Sequence, residues 1–281
     1  GTQLAEDMNI KIHPVKFRHS IAKYSCDDSG IYKGVESIKF LNERIADELW
    51  LLKDNIYESF YDLLIDIGNT SVNSRQLDIL IKINFFEEFG DINLLLKQVE
   101  FFNFFNGKKQ FKKEKLEKNG IDIDFISKYA GKVTEKTIMN IDSERLLRDL
   151  FLNIEYKKAT LLEHFKYENE CLGQVITVNP NENKHMYFVK EISTTKSITR
   201  IQLYEIFSGK NREVKIWTSQ INKNPICKSD ILNIHVIEKR HKKEPTGEIN
   251  PNTGKKIYAD VPDKFEYWLK SYTIKREDDN L

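Results

Sequence analysis

The stretch Ser71-Val72-Asn73-Ser74-Arg75-Gln76-Leu77-Asp78-Ile79-Leu80-Ile81-Lys82-Ile83-Asn84-Phe85-Phe86-Glu87-Glu88-Phe89, followed by Gly90, reads as a helix, a tight turn and an aromatic plug. Leu77, Leu80, Ile81 and Phe85 recur at helical spacing. Asn73 or Ser74 is placed to cap the first turn, and Asn84 falls where the helix must break. Upstream, Ile31 to Asn42 has the same grammar: a short apolar helix, a polar turn residue, then the amphipathic segment Asn42 to Leu52. Between the two units, Phe60, Leu63, Leu64 and Ile67 predict a helix that stops at Gly68-Asn69. The pattern predicts a paired helix-hairpin-helix module.

Outward from this stretch, residues 1 to about 20 read as a lead-in. Asn9 to Ile12 is a short extended segment, and Pro14 stops any helix. Leu94 to Phe105 carries Phe101, Phe102, Phe104 and Phe105, a stripe whose plainest use is core packing. Gly107 to Lys118 is a basic run (Lys108, Lys109, Lys112, Lys113, Lys115, Lys118) interleaved with Glu114 and Glu117. Such a run reads first as a solvated face and second as a phosphate contact. In Ile121-Asp122-Ile123-Asp124-Phe125, Asp124 is placed to cap a helix from Phe125 to Tyr129. Thr134 to Phe165 reads as helical through Ile138, Ile141, Leu146, Leu147, Leu150 and Phe151, with Asp142-Ser143-Glu144 starting its second helix.

Around Gly173 the apolar period falls from about 3.6 towards 2, the mark of a domain boundary. Val175 to Val178, Met186 to Ile192, Thr199 to Phe207, Glu213 to Thr218, Ile231 to Glu238 and Trp268 to Ile274 read as short strands separated by turns such as Ser208-Gly209-Lys210-Asn211. Five or six such strands without a strong intervening helix predict a small closed barrel. Lys239-Arg240-His241-Lys242-Lys243 heads a polar stretch running through Pro245-Thr246-Gly247 and Pro251-Asn252-Thr253-Gly254, read as a long loop. Arg276 to Asn280 reads as a frayed end.

Composition excludes several classes. The 281 residues are 40% hydrophobic and 31% charged, ordinary for a globular chain. Lys+Arg 44 against Asp+Glu 43 leaves a net charge of +1, so phosphate would be attracted by local patches and not by the overall field. Cys26, Cys171 and Cys227 offer no pairing framework and no metal spacing, as expected in a reducing cytoplasm. His13, His19, His164, His185, His235 and His241 show no ligand spacing, and no Gly-rich phosphate loop or nucleophile elbow occurs. No apolar run reaches the roughly 18 to 20 residues of a membrane span, and no signal sequence is evident. A soluble cytoplasmic protein, monomeric in isolation, is expected.

On these residues the run from Met8 to Gly90 resembles the region after the catalytic core in bacterial replicative DNA polymerase III alpha subunits, the C-family polymerases. The resemblance is carried by Ile10-Lys11-Ile12-His13-Pro14, Ser20, Ile31-Tyr32-Lys33-Gly34, Ser37-Ile38-Lys39 and the hairpin from Asn73-Ser74-Arg75 to Phe86-Glu87-Glu88-Phe89-Gly90. Glu168-Asn169-Glu170-Cys171-Leu172-Gly173 resembles the segment that leads into the family's oligonucleotide-binding (OB) domain. The resemblance implies an α+β chain: an all-α helix-hairpin-helix DNA-binding domain over residues 1–110, a helical connector over 111–172 and a small all-β OB-fold barrel over 173–281. It also implies a fragment of a longer polymerase, since it starts almost at Gly1. Palms of this family carry an Asp-x-Asp-Phe pattern, but Asp122 and Asp124 lack a third acidic partner strand and lie downstream of the hairpins. This chain is therefore expected to be no enzyme and to hold no cofactor, the catalytic aspartates and Mg of the parent polymerase lying outside it.

The candidate DNA-binding residues follow. In the first hairpin they are Lys33, Ser37, Lys39 and Asn42, and in the second Asn73, Ser74 and Arg75. Relatives show Gly-Val-Gly where this chain has Phe40-Leu41-Asn42, and Gly where it has Asn84; asparagine tolerates the left-handed backbone such turns need. On the barrel, Tyr187, Tyr204 and Trp217 are candidate stacking faces, with Lys196, Arg200, Lys210, Arg212 and Lys215 as a basic rim. Lys239, Arg240, Lys242 and Lys243 are candidate phosphate contacts. Duplex product would be held without reading its sequence. The alternative is a scaffold that has lost DNA binding and docks a sliding clamp, clamp loader or single-strand-binding protein. For that, Gln98-Val99-Glu100-Phe101-Phe102 resembles a clamp-binding peptide, with Gln98, Phe101 and Phe102 as anchors, and Gln76 to Leu80 is a looser match.

Overall fold

The computed structural model describes residues 10–275. Met8 and Asn9, where the polymerase-like run begins, and Arg276 to Asn280 lie outside the described residues. Helix and sheet are mixed throughout, in two compact units covering residues 1–159 and 160–281.

In the N-terminal unit, β1 (Ile12–His13), β2 (Ser25–Asp27) and β3 (Gly30–Tyr32) form a small sheet in the order β1-β3-β2, with β1 parallel to β3. The short apolar helix expected at Ile31 is therefore a strand followed by a 3-10 turn, Val35–Ser37. Gly34 is required there: a Cβ would lie 2.4 Å from the Ala22 carbonyl oxygen. Next come α1 (Glu43–Leu51), α2 (Phe60–Ile67) and α3 (Ser74–Lys82). Each start is chemically marked. Asn42 accepts from the Ile45 N–H, Ser59 and Asp62 form a capping box, and Asn73 with Gln76 forms another.

The C-terminus of α3 shows why Asn84 breaks it. Asn84 sits at φ 64°, its N–H donates to Ile81 O, and the Phe85 N–H donates to Leu80 O at 3.0 Å. This pair of bonds is a Schellman motif with asparagine in the position usually given to glycine. It delivers Phe85 and Phe86, 1% and 0% exposed, into a ring cluster with Phe17 and Phe60. After a 3-10 turn (Glu87–Phe89), Asp91 caps α4 (Ile92–Phe105).

The rest of this unit corrects the helical reading of 134–165. β4 (Gln110–Lys112), α5 (Lys113–Lys118), α6 (Ile123–Ser127), β5 (Ala130–Val133), β6 (Thr137–Ile141) and α7 (Ser143–Leu152) follow, with a sheet in the order β4-β6-β5. Ile138 and Ile141 are both buried three residues apart because Asn140, at φ 54°, offsets the strand between them. That interval imitates a helix. Asp142 caps α7 as expected, whereas the cap of α6 is Asp122, not Asp124.

The C-terminal unit opens with α8 (Leu161–Cys171), capped by Thr160 and Glu163. Val175 to Val178 is not a strand. The carboxylate of Glu168, 6% exposed, takes the N–H groups of Ile176 and Thr177 at 2.8 and 3.0 Å and the Thr177 hydroxyl at 2.5 Å, so those donors are unavailable to a sheet. Then β7 (Met186–Thr194), β8 (Ile198–Glu205), β9 (Asn211–Trp217), α9 (Thr218–Ile221), β10 (Ile231–Ile249) and β11 (Lys256–Lys275) complete the chain. The strands close into a ring in the order β7-β8-β9-β11-β10, sealed by antiparallel pairing of β10 with β7. β11 meets β9 in parallel at Trp268 and Lys215, and the other neighbours are antiparallel. Val189, Ile201, Leu203, Val214, Ile216, Leu232 and Leu269 fill its interior.

The expected loop after Lys239 is instead a two-stranded arm: β10 and β11 continue to pair as far as Ile249 and Lys256. Pro245 is tolerated because a strand of a two-stranded ribbon has one free edge. The all-α and all-β halves expected from the sequence are thus each mixed, with sheets in the first and helices in the second.

Tyr204 ties the ring to the Glu168 segment. It is 1% exposed, and its hydroxyl donates to Thr177 O at 2.8 Å. Burial, aided by the negative charge of Glu168, pushes its phenol up to about 12. An unfolded tyrosine ionises near 10. The folded chain therefore keeps its proton where the unfolded chain loses it, so stability present below pH about 10 falls as pH rises towards 12. Urea midpoints followed by tryptophan fluorescence are expected to drop across that window, and to drop less steeply in Tyr204→Phe.

Candidate nucleic-acid interface

In the N-terminal unit the two hairpins meet at one surface. The turn Ile38-Lys39-Phe40-Leu41 is closed by a Leu41 N–H bond to Ile38 O at 3.1 Å, with Phe40 at φ 72°. A turn with positive φ at its third residue ordinarily demands glycine or asparagine. Here the conformation is held from the second hairpin: Gln76, in the first turn of α3, donates from Nε2 to Phe40 O at 2.9 Å. Beside it, the Arg75 guanidinium lies 3.7 Å from the centre of the Phe40 ring, and Lys39 Nζ lies 5.0 Å from it. Lys39, Phe40, Asn42, Asn73, Ser74 and Arg75 are all exposed. The first turns of α1 and α3 supply this face with helix N-termini, which favour anions.

The other first-hairpin candidates are differently placed. Ser37 spends its hydroxyl on Gly34 O at 2.7 Å, inside its own turn. Lys33 is half-buried, with its backbone N–H bonded to His13 O. In α4, Gln98 is 6% exposed with its Oε1 unpartnered, while Phe101 rests on Phe105 and Phe102 on Tyr61. These three side chains are packing groups of a helix. The looser match, Gln76 to Leu80, is mostly buried in α3.

In the C-terminal unit a cleft of about 550 Å³ is lined by Arg200, Arg212, Lys215, Lys242, Phe265 and Tyr267, among others. It gathers four of the predicted basic residues. Trp217 is 40% exposed and stands 4.7 Å from Trp268, on whose ring Arg240 rests at 5.0 Å. Lys239 lies 3.7 Å over Phe265, and Arg212 5.4 Å over Tyr267. Lys196 and Lys210 are exposed on turns. Tyr187 and Tyr204, by contrast, are core residues and offer no stacking face.

Much of this basic charge is already paired. Lys215 bonds Glu266, which also accepts from Trp268 Nε1 at 2.6 Å. Burial works against the Glu266 charge, but the bonds from Lys215 and Trp268 outweigh it and hold the carboxyl below its usual range. Arg240 and Lys270 pair with Glu238, whose carboxyl those two bonds bring down to about 2. Lys242 pairs with Glu244, and Lys243 with Asp260. Phe40, Gln76, Phe265, Tyr267 and Trp268 are not among the DNA contacts that the sequence suggests. Phe40 alone carried a signal, as a bulky residue standing where hairpins want glycine.

Residues 9–93 match the family model for the helix-hairpin-helix motif. No curated protein matches the chain. The match covers both hairpins and places a helix-hairpin-helix domain, an architecture that points to nucleic-acid binding, on the unit that carries the Lys39–Phe40–Arg75 face.

Proposed function

We propose that this chain is a non-catalytic, DNA-holding portion of a bacterial DNA polymerase III alpha subunit. It grips duplex product through its helix-hairpin-helix unit and single-stranded DNA through an OB fold. The observation that carries the reading is the succession of a helix-hairpin-helix match by a five-strand ring in the order β7-β8-β9-β11-β10. A five-stranded Greek-key ring whose third and fifth strands run parallel, with a short helix after the third, is the plan of an OB fold. In such a fold the second and third strands take the nucleic acid, and in this ring those two strands carry Arg200, Arg212 and Lys215, which line the 550 Å³ cleft. On this reading the chain works in the cytoplasm, has no chemistry of its own, and leaves the metal-binding aspartates and Mg to the rest of the polymerase.

The test is fluorescence anisotropy of labelled primer-template and single-stranded DNA at two salt concentrations. Micromolar or tighter binding is expected, weakening with salt by about 0.9 in log–log slope for each phosphate contacted. Absence of binding to either DNA at low salt would overturn the reading.

A second reading, a scaffold that docks a sliding clamp, loader or single-strand-binding protein, draws on the ion-paired state of the basic cluster on β10. Charges already matched within the chain have less to offer phosphate. Salt-insensitive capture of such a protein, with no DNA binding, would favour it.

A further inference from the structure

We propose that Phe40 is a stacking platform for an unpaired nucleobase, so that the first hairpin takes a strand end or single-stranded tail and not only duplex phosphate. The inference rests on the DNA-holding reading and names the ligand class of that same face.

Three observations converge. First, Phe40 occupies a left-handed backbone conformation, φ 72°, that a bulky side chain rarely adopts. Strain of this kind persists only where neighbours over-determine it, and here the Gln76 bond to Phe40 O does so. Glycine would satisfy the turn without strain, so the turn itself gives no reason for phenylalanine.

Second, the ring is not used for the core. Phe40 is 45% exposed, whereas the plug rings Phe85 and Phe86 are 1% and 0% exposed. This strained ring packs against the cations of Arg75 and Lys39 and not into the core.

Third, the surroundings suit a nucleotide. The Arg75 guanidinium lies over the ring, 3.7 Å from its centre, and Lys39 Nζ lies 5.0 Å from it. A base stacked on this phenyl–guanidinium pair would have its flanking phosphates within reach of two cations. Aromatic and arginine planes are the common means of holding splayed bases, and such contacts are tolerant of sequence. A duplex interior has no free base face to offer. The ligand is therefore an unpaired end or a single strand.

The test compares the chain with its Phe40→Gly and Phe40→Trp variants on two probes: a blunt duplex, and the same duplex with an unpaired tail carrying 2-aminopurine. For the unsubstituted chain, the tailed probe is expected to bind more tightly, with 2-aminopurine fluorescence quenched on binding. Phe40→Gly should keep or raise the thermal midpoint, since it relieves the turn. It should lose about fivefold or more in affinity for the tailed probe, the lower end of what one stacked base contributes, together with the quenching. Phe40→Trp should restore both. If Phe40→Gly binds the tailed probe as tightly as the unsubstituted chain and quenches it equally, the inference is overturned while duplex holding stands. If the unsubstituted chain binds neither probe at low salt, the inference falls together with the functional reading it deepens.

Discussion

Phe86→Ala is expected to remove about 3–5 kcal/mol from the stability of the N-terminal unit, the usual cost of deleting a fully buried ring. The site gives no room for a smaller loss. Phe86 is 0% exposed, meets Phe85 edge-on at 4.9 Å, and packs at 5.4 Å and 5.9 Å on Phe17 and Phe60. These rings come from the lead-in, from α2 and from the hairpin turn. No single element can collapse into the cavity without moving the others. A typical domain has about 5–15 kcal/mol in total, so the variant should leave this unit near its unfolding threshold. Urea titration followed by far-UV circular dichroism would show the midpoint falling steeply. A loss under about 1 kcal/mol would mean that the plug is not the centre of this core.

In the other unit the largest effect is expected at Glu168. Glu168→Ala strands two backbone N–H groups and a hydroxyl that the carboxylate now satisfies, and charged hydrogen bonds of this kind contribute about 1.5–3 kcal/mol each before non-additivity. A net loss of about 3 kcal/mol is expected. Glu168→Gln keeps the shape and one acceptor oxygen but turns an amide NH₂ towards the donors, so about half that loss is expected. The consequence is local as well as energetic. Burial does most to raise the Tyr204 phenol and the negative charge of Glu168 adds to it, so without that charge the phenol should titrate closer to 10 in Glu168→Ala. Equal stability of Glu168→Ala and the unsubstituted chain would show that water serves those donors as well as the carboxylate does.

How far the sequence revealed this architecture depends on whether local chemistry and global packing agree. They agree in the second hairpin. Asn73 and Gln76 cap α3, its apolar face has helical spacing, and Asn84 is one of the few residues at ease at φ 64°. They agree also for the ring strands, whose β-branched alternation matches their buried faces. They disagree where the chain changes phase. Ile138 and Ile141 look like neighbours on a helix because Asn140 shifts the strand between them. Val175 to Val178 looks like a strand until Glu168, from a separate helix, claims its donors. Such capture by the preceding helix leaves no mark in the segment itself. The arm was hidden for another reason: Pro245 and Gly247 are loop signals in a sheet interior but tolerable on a two-stranded ribbon, and Gly254 belongs to the turn that joins its strands.

The candidate site was partly legible. Lys39, Asn42, Asn73 and Arg75 are legible from their places in the two hairpins; the structure brings Lys39 and Arg75 together at the Phe40 ring and uses the Asn42 and Asn73 side chains as helix caps. The aromatic partners of the basic residues on the ring were not. Which cation lies over Phe265, Tyr267 or Trp268 depends on the pairing of β9, β10 and β11, which sequence spacing does not specify. Tyr187 and Tyr204 were named as candidate platforms because strand alternation alone does not say which side is inside.

The central claim is that the hairpin face holds DNA through the cations around Phe40, and the most direct test is the affinity of Lys39→Glu/Arg75→Glu for duplex DNA as a function of salt. Both positions are exposed, so the double variant should keep its thermal midpoint within the range of ordinary surface changes. It is expected to bind at least about tenfold more weakly at low salt, with the log–log salt slope reduced by about 1.8, the share of two phosphate contacts. An affinity and slope equal to those of the unsubstituted chain would contradict the account.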